Sequence, residues 1–119
     1  MLSWEAGGWK IEKALEVVVW LKSEGVPIDE FGMQWHINVS TSVAPGDMHY
    51  QIAQCFINEN VNVMVTELRI SVPMRDGSLV NSDDLERQAA LFRSMLRYIL
   101  HFSSHSPIFG TWSCTDRYN

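Results

Sequence analysis

The chain has 119 residues and a formal net charge of −5 at pH 7. This length suits one domain at most and is far below the ~250 residues of a complete (β/α)8 barrel. The acidic balance argues against a nucleic-acid-binding protein, and the absence of an apolar run of about 18 residues argues against a membrane span.

A helix followed by a strand is predicted at the start of the chain. Apolar residues recur at helical spacing between Ile11 and Leu21, which predicts a helix from about residue 10 to residue 23. Gly25 and then Pro27 are the usual order of residues after a helix ends. A strand over about residues 31–37 follows.

A second helix and a second strand come next. Asp47 is the predicted N-cap of this helix, after a polar loop. Residues 61–68 form the predicted strand, in which Val63–Val65 is a continuous apolar run. Such a run is typical of a sheet that is covered on both faces.

The third helix and strand complete the pattern. A long loop leads to Ser82–Asp84, which is predicted to open the helix with a capping hydroxyl and two carboxylates. The apolar stripe of this helix is predicted to contain Leu85, Ala89, Phe92, Leu96 and Ile99, with Met95 beside it. A strand over about residues 107–113 follows. Alternating helices and strands are typical of parallel βαβ units, so the predicted fold class is α/β.

The second predicted strand ends on a carboxylate, Glu67. A carboxylate without a partner is costly out of water, so a buried strand rarely carries one without a reason. In a parallel α/β barrel the C-terminal ends of the strands face the mouth, where chemistry occurs. The alternative is that Glu67 has simply reached solvent where the strand ends.

Three segments carry a family resemblance: GVPIDEFGMQWH at residues 25–36, TELRI at residues 66–70 and TWSCTDRYN at residues 111–119. In order and approximate spacing they resemble the GvPIDGiGlQsH, TELDI and WGftDkysW blocks of glycoside hydrolase family 10, the endo-1,4-β-xylanases. The resemblance covers nearly the whole chain from about Lys10. It implies a partial (β/α)8 TIM barrel, helix five through strand eight, with residues 1–119 as a C-terminal fragment of the catalytic domain.

The resemblance also implies roles for four side chains. Retaining glycosidases use two carboxyl groups about 5–5.5 Å apart, one as nucleophile and one as acid and base. Glu67 corresponds to the nucleophile and His36 to the residue that orients it, whereas Gln34 and Trp112 correspond to sugar-binding positions. Gln34 and His36 are two apart on the predicted strand and therefore share a face. The alternative for Gln34 and His36 is a polar strand end that faces solvent, and the alternative for Trp112 is a tryptophan buried in the core.

The chain also departs from the family pattern. No segment matches the Asn-Glu block that holds the acid/base residue, and Glu59 follows Asn58 at the end of a helical stretch instead. Arg69 replaces an expected Asp or Asn. An arginine there would face the same side as Glu67 and could pair with its carboxylate, which would lower the carboxylate's pKa.

Two hypotheses follow for the function. The first is hydrolysis of β-1,4-glycosidic bonds in xylan-type polysaccharides by a retaining mechanism. The second is a non-catalytic, degenerate or carbohydrate-binding barrel fragment, and an unrelated doubly wound domain remains a third interpretation. The expected partner is the polysaccharide, with no nucleic acid, membrane or cofactor.

Metal binding, location and cysteine state receive only broad expectations. No metal is expected, because His101 and His105 lack a third ligand. The resemblance implies an extracellular protein, although no signal peptide follows Met1 and the chain as written would stay in the cytosol. Cys55 and Cys114 could form one disulfide or remain buried thiols, and the oligomeric state stays open.

Overall fold

A computed structural model of the chain describes residues 8–105 and 108–113. Three helices and six strands follow one another within these ranges: α1 Gly8–Ser23, β1 Glu30–Met33, β2 His36–Asn38, α2 Met48–Asn58, β3 Asn62–Ser71, β4 Met74–Arg75, β5 Ser78–Leu79, α3 Asp84–His101 and β6 Phe109–Thr111.

β3 is the central strand of a parallel sheet. β1 and β2 pair with one of its sides and β6 pairs with the other. Because each crossover steps to the next strand in the same direction, right-handed connections place α2 and α3 on the same face of the sheet. This is the arrangement of a (β/α)8 barrel segment, and the predicted α/β class with parallel strands is confirmed.

The core lies between the sheet and these helices. Val63 and Val65 of β3 are fully buried and pack with Phe56 from α2 and with Met95 and Tyr98 from α3. The opposite face of β3 is only partly covered in the described residues. A functional side chain on β3 must therefore point to this open face if it is to meet a ligand.

Several local predictions need correction. The strand predicted over residues 31–37 is interrupted, because Trp35 has a φ of 50° and separates β1 from β2. The loop before α3 contains a short antiparallel hairpin, β4–β5. Asp47 occupies the N-cap position of α2, but its carboxylate does not cap the helix and instead accepts hydrogen bonds from the Ser42 hydroxyl and the Ala44 N–H.

The start of α3 and its buried face also differ from the prediction. Asp83 is the N-cap residue, and the Ser82 hydroxyl donates to the Asp83 carboxylate instead of capping the helix. The residues that α3 buries are Asp84, Leu91, Met95 and Tyr98, whereas most of the predicted stripe is exposed. α3 is apolar on two sides, and contact with the sheet decides which side is buried.

Some predictions concern positions outside the described residues. These are the beginning of the third predicted strand at Pro107 and the state of Cys114. Cys55 lies half-buried in α2 with a free thiol. No helix within the described ranges is both long and apolar enough to cross a membrane.

Candidate active site

β3 contains one more residue than either neighbouring strand at Thr66 and Glu67. Residues 30–33 and residues 36–38 pair with β3 in registers that differ by one, and the β6 register shifts between Val65 and Leu68. Burial follows the same shift, because Val65 and Leu68 are both buried although they are three residues apart. The extra residue is a β-bulge that places Thr66 and Glu67 on the open face together.

The four predicted site residues meet on this face. Nε2 of His36 lies 3.1 Å from Oε2 of Glu67, and Nε2 of Gln34 donates to Oε1 of Glu67 at 3.4 Å. The Trp112 ring and the imidazole of His36 form a T-shaped contact, with ring centroids 5.6 Å apart and planes at 74°. Trp112 is 51% exposed, so within the described part of the chain it is not the core residue that the alternative interpretation expected.

The contacts of the carboxylate hold it in one orientation. Each oxygen of Glu67 accepts one hydrogen bond, and about a quarter of the side chain is exposed, which leaves room for a reacting carbon. The two hydrogen bonds, one to each oxygen, fix the orientation of the carboxylate plane. The site can therefore present an oriented carboxylate beside an exposed aromatic ring.

Trp35 explains how Gln34 and His36 reach the same carboxylate. Its left-handed backbone conformation lies between them, and its buried ring packs against His49 and Tyr98 in tilted contacts with ring centroids 4.2 Å and 4.9 Å apart. The ladder resumes where the Arg69 N–H donates to the Trp35 carbonyl. The two polar side chains do meet on one face, as predicted, but a buried tryptophan anchor and not a continuous strand places them there.

His49 is the titratable group on the hidden side of this anchor. Burial lowers the pKa of its imidazole, and the nearby Asp47 carboxylate partly opposes that effect. Its Nδ1 is buried and has no hydrogen-bond partner within the described residues, as is true of the Tyr98 hydroxyl. Sequence reasoning missed both groups, because their burial depends on the position of Trp35.

Arg69 does not pair with Glu67, which corrects the predicted possibility. It is exposed on the open face as the register partner of His36, and among the described residues the side chains that contact the Glu67 carboxylate are His36 and Gln34. The contact to the imidazole, and not a guanidinium, therefore dominates the surroundings of the carboxylate.

The described residues supply no second carboxylate within hydrogen-bond distance of Glu67, His36 or Gln34. Glu59 is the C-cap residue of α2, just before β3 begins, and its carbonyl accepts a hydrogen bond from Lys22. It therefore lies toward the opposite end of β3 from Glu67.

The two candidate metal-binding histidines have other contacts. His101 packs against the rings of Tyr50 and Phe102, and Nδ1 of His105 lies 3.3 Å from the side-chain oxygen of Asn62. Within residues 8–105 and 108–113 no group of three or more potential ligands converges.

A cavity of about 780 Å³ lies beside Trp112, between the ends of β3 and β6, the β4–β5 hairpin and α3. Polar groups from Arg69 and Gln88 line it together with the apolar side chains of Leu85 and Phe92. The sequence did not reveal it, because the hairpin that forms one wall was predicted as a loop.

Comparisons with known proteins agree on one family. Residues 3–119 match the model of glycosyl hydrolase family 10. Endo-1,4-beta-xylanase A of Thermoanaerobacterium saccharolyticum is 34% identical over 112 residues, which are 94% of this chain and 9% of that protein. The endo-1,4-beta-xylanase of Agaricus bisporus is 30% identical over 115 residues, or 97% of this chain and 32% of that protein.

Solved structures show the same relationship. A Thermobacillus composti GH10 xylanase superposes with a TM-score of 0.81 and 27% identity, and covers 94% of this chain and 38% of its own. An intracellular xylanase of Thermoanaerobacterium saccharolyticum, in complex with xylotriose, gives a TM-score of 0.76 and 25% identity. The superposition covers 92% of this chain and 34% of that xylanase. The chain thus spans about a third or less of the length of the curated relatives it matches.

Proposed function

Because this chain belongs to glycosyl hydrolase family 10, we propose that it is the C-terminal part of a catalytic domain that cleaves β-1,4-glycosidic bonds in xylan-type polysaccharides. The single observation that carries the proposal is the carboxylate of Glu67, held on the open face by His36 and Gln34. An extracellular location, which the family resemblance implies, is part of the same proposal.

The proposed chemistry is a double displacement. The Glu67 carboxylate attacks the anomeric carbon, the bond to the leaving oxygen breaks, and a glycosyl ester forms on Glu67. Water then attacks the same carbon and releases the sugar with its original configuration. His36 and Gln34 donate to the two carboxylate oxygens and fix the attack direction, and the Trp112 ring offers an apolar face to the C–H groups of the sugar.

The acid/base residue that this chemistry also needs must come from outside the described residues. A general acid protonates the leaving oxygen and then activates water, which contributes about 10²–10⁴-fold. The 119-residue chain should therefore release no detectable reducing sugar from xylan. A sugar whose leaving group departs without protonation removes this requirement and tests Glu67 directly.

A 2,4-dinitrophenyl 2-deoxy-2-fluoro-β-xylobioside is such a probe, since the fluorine also slows hydrolysis of the ester. We expect mass spectrometry to find the fluoroxylobiosyl group on the peptide that contains Glu67. The Glu67→Gln variant should remain unlabelled. His101→Gln, which changes a residue that packs against Tyr50 and Phe102, should label at the parent rate. Labelling of another carboxylate, or equal labelling of Glu67→Gln, would refute the assignment.

A non-catalytic sugar-binding fragment is the second candidate. The observation that favours it is that no segment of the given sequence matches the Asn-Glu block of the acid/base residue. Xylotriose that shifts the resonances of Trp112 and Gln34 without any labelling of Glu67 by the probe would support this alternative. Labelling of Glu67 would support the nucleophile role instead.

A further inference from the structure

Two glycines face the bulge in β3 from its two neighbouring strands. A Cβ atom built on Gly110 of β6 would lie 2.6 Å from the carbonyl oxygen of Thr66, and one built on Gly32 of β1 would lie 2.9 Å from Cγ2 of Thr66. Real Cβ atoms essentially never approach other atoms this closely. Both strands therefore leave out a side chain at the point where β3 carries its extra residue.

The orientation of Glu67 depends on that extra residue. Side chains alternate between the faces of a regular strand, so without a bulge Glu67 would share the face of Val63 and Val65. That face is completely buried against the helices. With the bulge, the carboxylate emerges on the open face within reach of His36.

One hydrogen bond also holds the bulge. The Thr66 hydroxyl donates to the carbonyl of Met33 at 3.3 Å, at the end of β1 where the strand gives way to Gln34 and Trp35. The same residue thus contacts Gly110 on one side and both Gly32 and Met33 on the other. Glycine inside a strand otherwise weakens it, and a close backbone approach is one reason for its presence.

We propose that Gly32 and Gly110 are positioning residues for the nucleophile: they admit the Thr66 bulge, and the bulge turns the carboxylate of Glu67 from the core to the site. The inference rests on the proposed function only for the word nucleophile. The geometric part, that the two glycines hold Glu67 against His36, can be measured without any reaction.

The readout is the response of His36 to its partner. With only the histidine nitrogens labelled with ¹⁵N, the spectrum contains few signals, and His36→Gln identifies the resonances of His36. In the parent chain, Glu67→Gln should change the imidazole resonances of His36, because the two side chains are in contact. In Gly110→Ala this response should be lost, because a methyl group cannot coexist with the Thr66 carbonyl and no side-chain change at Thr66 can relieve that contact.

Gly32→Ala provides a rescue. Its methyl group meets Cγ2 of Thr66, an atom that serine lacks, whereas serine keeps the hydroxyl that donates to Met33. We expect Gly32→Ala to weaken the response and Gly32→Ala with Thr66→Ser to restore it. Gly25→Ala is the matched control, since Gly25 has a φ of 78° and an added Cβ would meet no atom within 4 Å. It should lower stability by backbone strain alone and leave the His36 response unchanged.

The outcomes separate the two proposals. A full response in a folded Gly110→Ala chain, or no recovery in the Gly32→Ala and Thr66→Ser pair, overturns the positioning role. If Gly110→Ala fails to fold, the rescue pair alone decides. A normal set of responses combined with no covalent labelling of Glu67 would leave the positioning role intact and overturn the proposed function. If the glycines position a nucleophile, the labelling rate of Glu67 should fall and recover together with the His36 response.

Discussion

Nε2 of His36 lies 3.1 Å from Oε2 of Glu67, although the residue opposite His36 across the two parallel strands is Arg69. The contact is possible because the strand of Glu67 bulges two residues earlier than this pairing. The carboxylate of Glu67 thus pairs with His36 on the open face, whereas regular alternation would have directed it into the core.

Replacement of His36 should impair the reaction of Glu67 more than the fold. His36→Ala removes one of the two donors to the carboxylate and exposes it to solvent on that side. Because misplacement of a reacting group by about 1 Å can cost about 10²-fold, we expect labelling of Glu67 by the activated fluoroxyloside to slow by up to about that factor.

The matched control for this experiment is His105→Ala, since His105 contacts Asn62 at the opposite end of β3. It should label at nearly the parent rate. Equal slowing in both variants would mean that His36 acts through general stability and does not orient the nucleophile.

The hydroxyl of Tyr98 should contribute nothing to stability. Tyr98 is completely buried, burial raises the pKa of its phenol, and the hydroxyl has no hydrogen-bond partner within the described residues. Since a buried polar group without a partner costs about 1–3 kcal/mol, Tyr98→Phe should leave the free energy of unfolding unchanged or raise it. Urea unfolding measures this quantity.

Tyr98→Ala sets the scale, because loss of a large buried ring costs about 3–5 kcal/mol. A drop of more than about 1 kcal/mol in Tyr98→Phe would be the size of one lost hydrogen bond. That result would mean that the hydroxyl has a partner, and the unpartnered assignment would be wrong.

The order of elements and the meeting of the site residues could be predicted from the sequence. Helical spacing between Ile11 and Leu21 is a local pattern, and so is the apolar run that ends in Glu67. The three family-like segments then placed Gln34, His36 and Trp112 around that carboxylate, because segments at equivalent strand ends converge at one edge of a parallel sheet.

The bulge and the buried face of α3 depended on information that lies outside any one segment. The run Val63–Ile70 reads as one strand, and only the registers of both neighbours reveal its extra residue. Gly32 and Gly110 were the available signal, since glycine inside a strand often marks a close backbone approach. In α3, Leu96 and Met95 belong to two adjacent apolar stripes, and helical periodicity cannot choose between them.

Acid should destabilise the chain through His49 before it affects Asp47. Burial lowers the pKa of His49 in the folded state below its ordinary value of 6.5. As the pH falls below that value, the unfolded chain takes up a proton that the folded chain refuses, so stability is lost until the folded-state pKa is reached. The slope cannot exceed about 1.4 kcal/mol per pH unit for one group.

His49→Gln should remove this part of the pH dependence, measured as the free energy of urea unfolding from pH 7.5 to pH 5. Asp47 acts in a lower range, because the Ser42 hydroxyl and the Ala44 N–H lower its pKa below 3.8. Asp47→Asn also removes the carboxylate that opposes the shift of His49, so it should extend the loss of stability to lower pH and not abolish it. An identical slope in the parent and in His49→Gln would contradict the role of burial.

The chain by itself should self-associate through the apolar side of α3 and the sheet edges. Leu96 is 53% exposed and Leu100 is 72% exposed, and in the described residues β6 pairs on one side only. Exposed apolar stripes and unpaired strand edges both favour contact with another chain. Because burial of one leucine stabilises by about 1.5–3 kcal/mol, replacing Leu96 and Leu100 by lysine should raise the concentration of half-association by at least about tenfold. Light scattering over a dilution series measures this concentration.

Ala90→Lys is the control for this experiment, since it adds a positive charge at an exposed position of the same helix and should have little effect on association. A parent chain that stays monomeric at all concentrations would show that these surfaces do not associate.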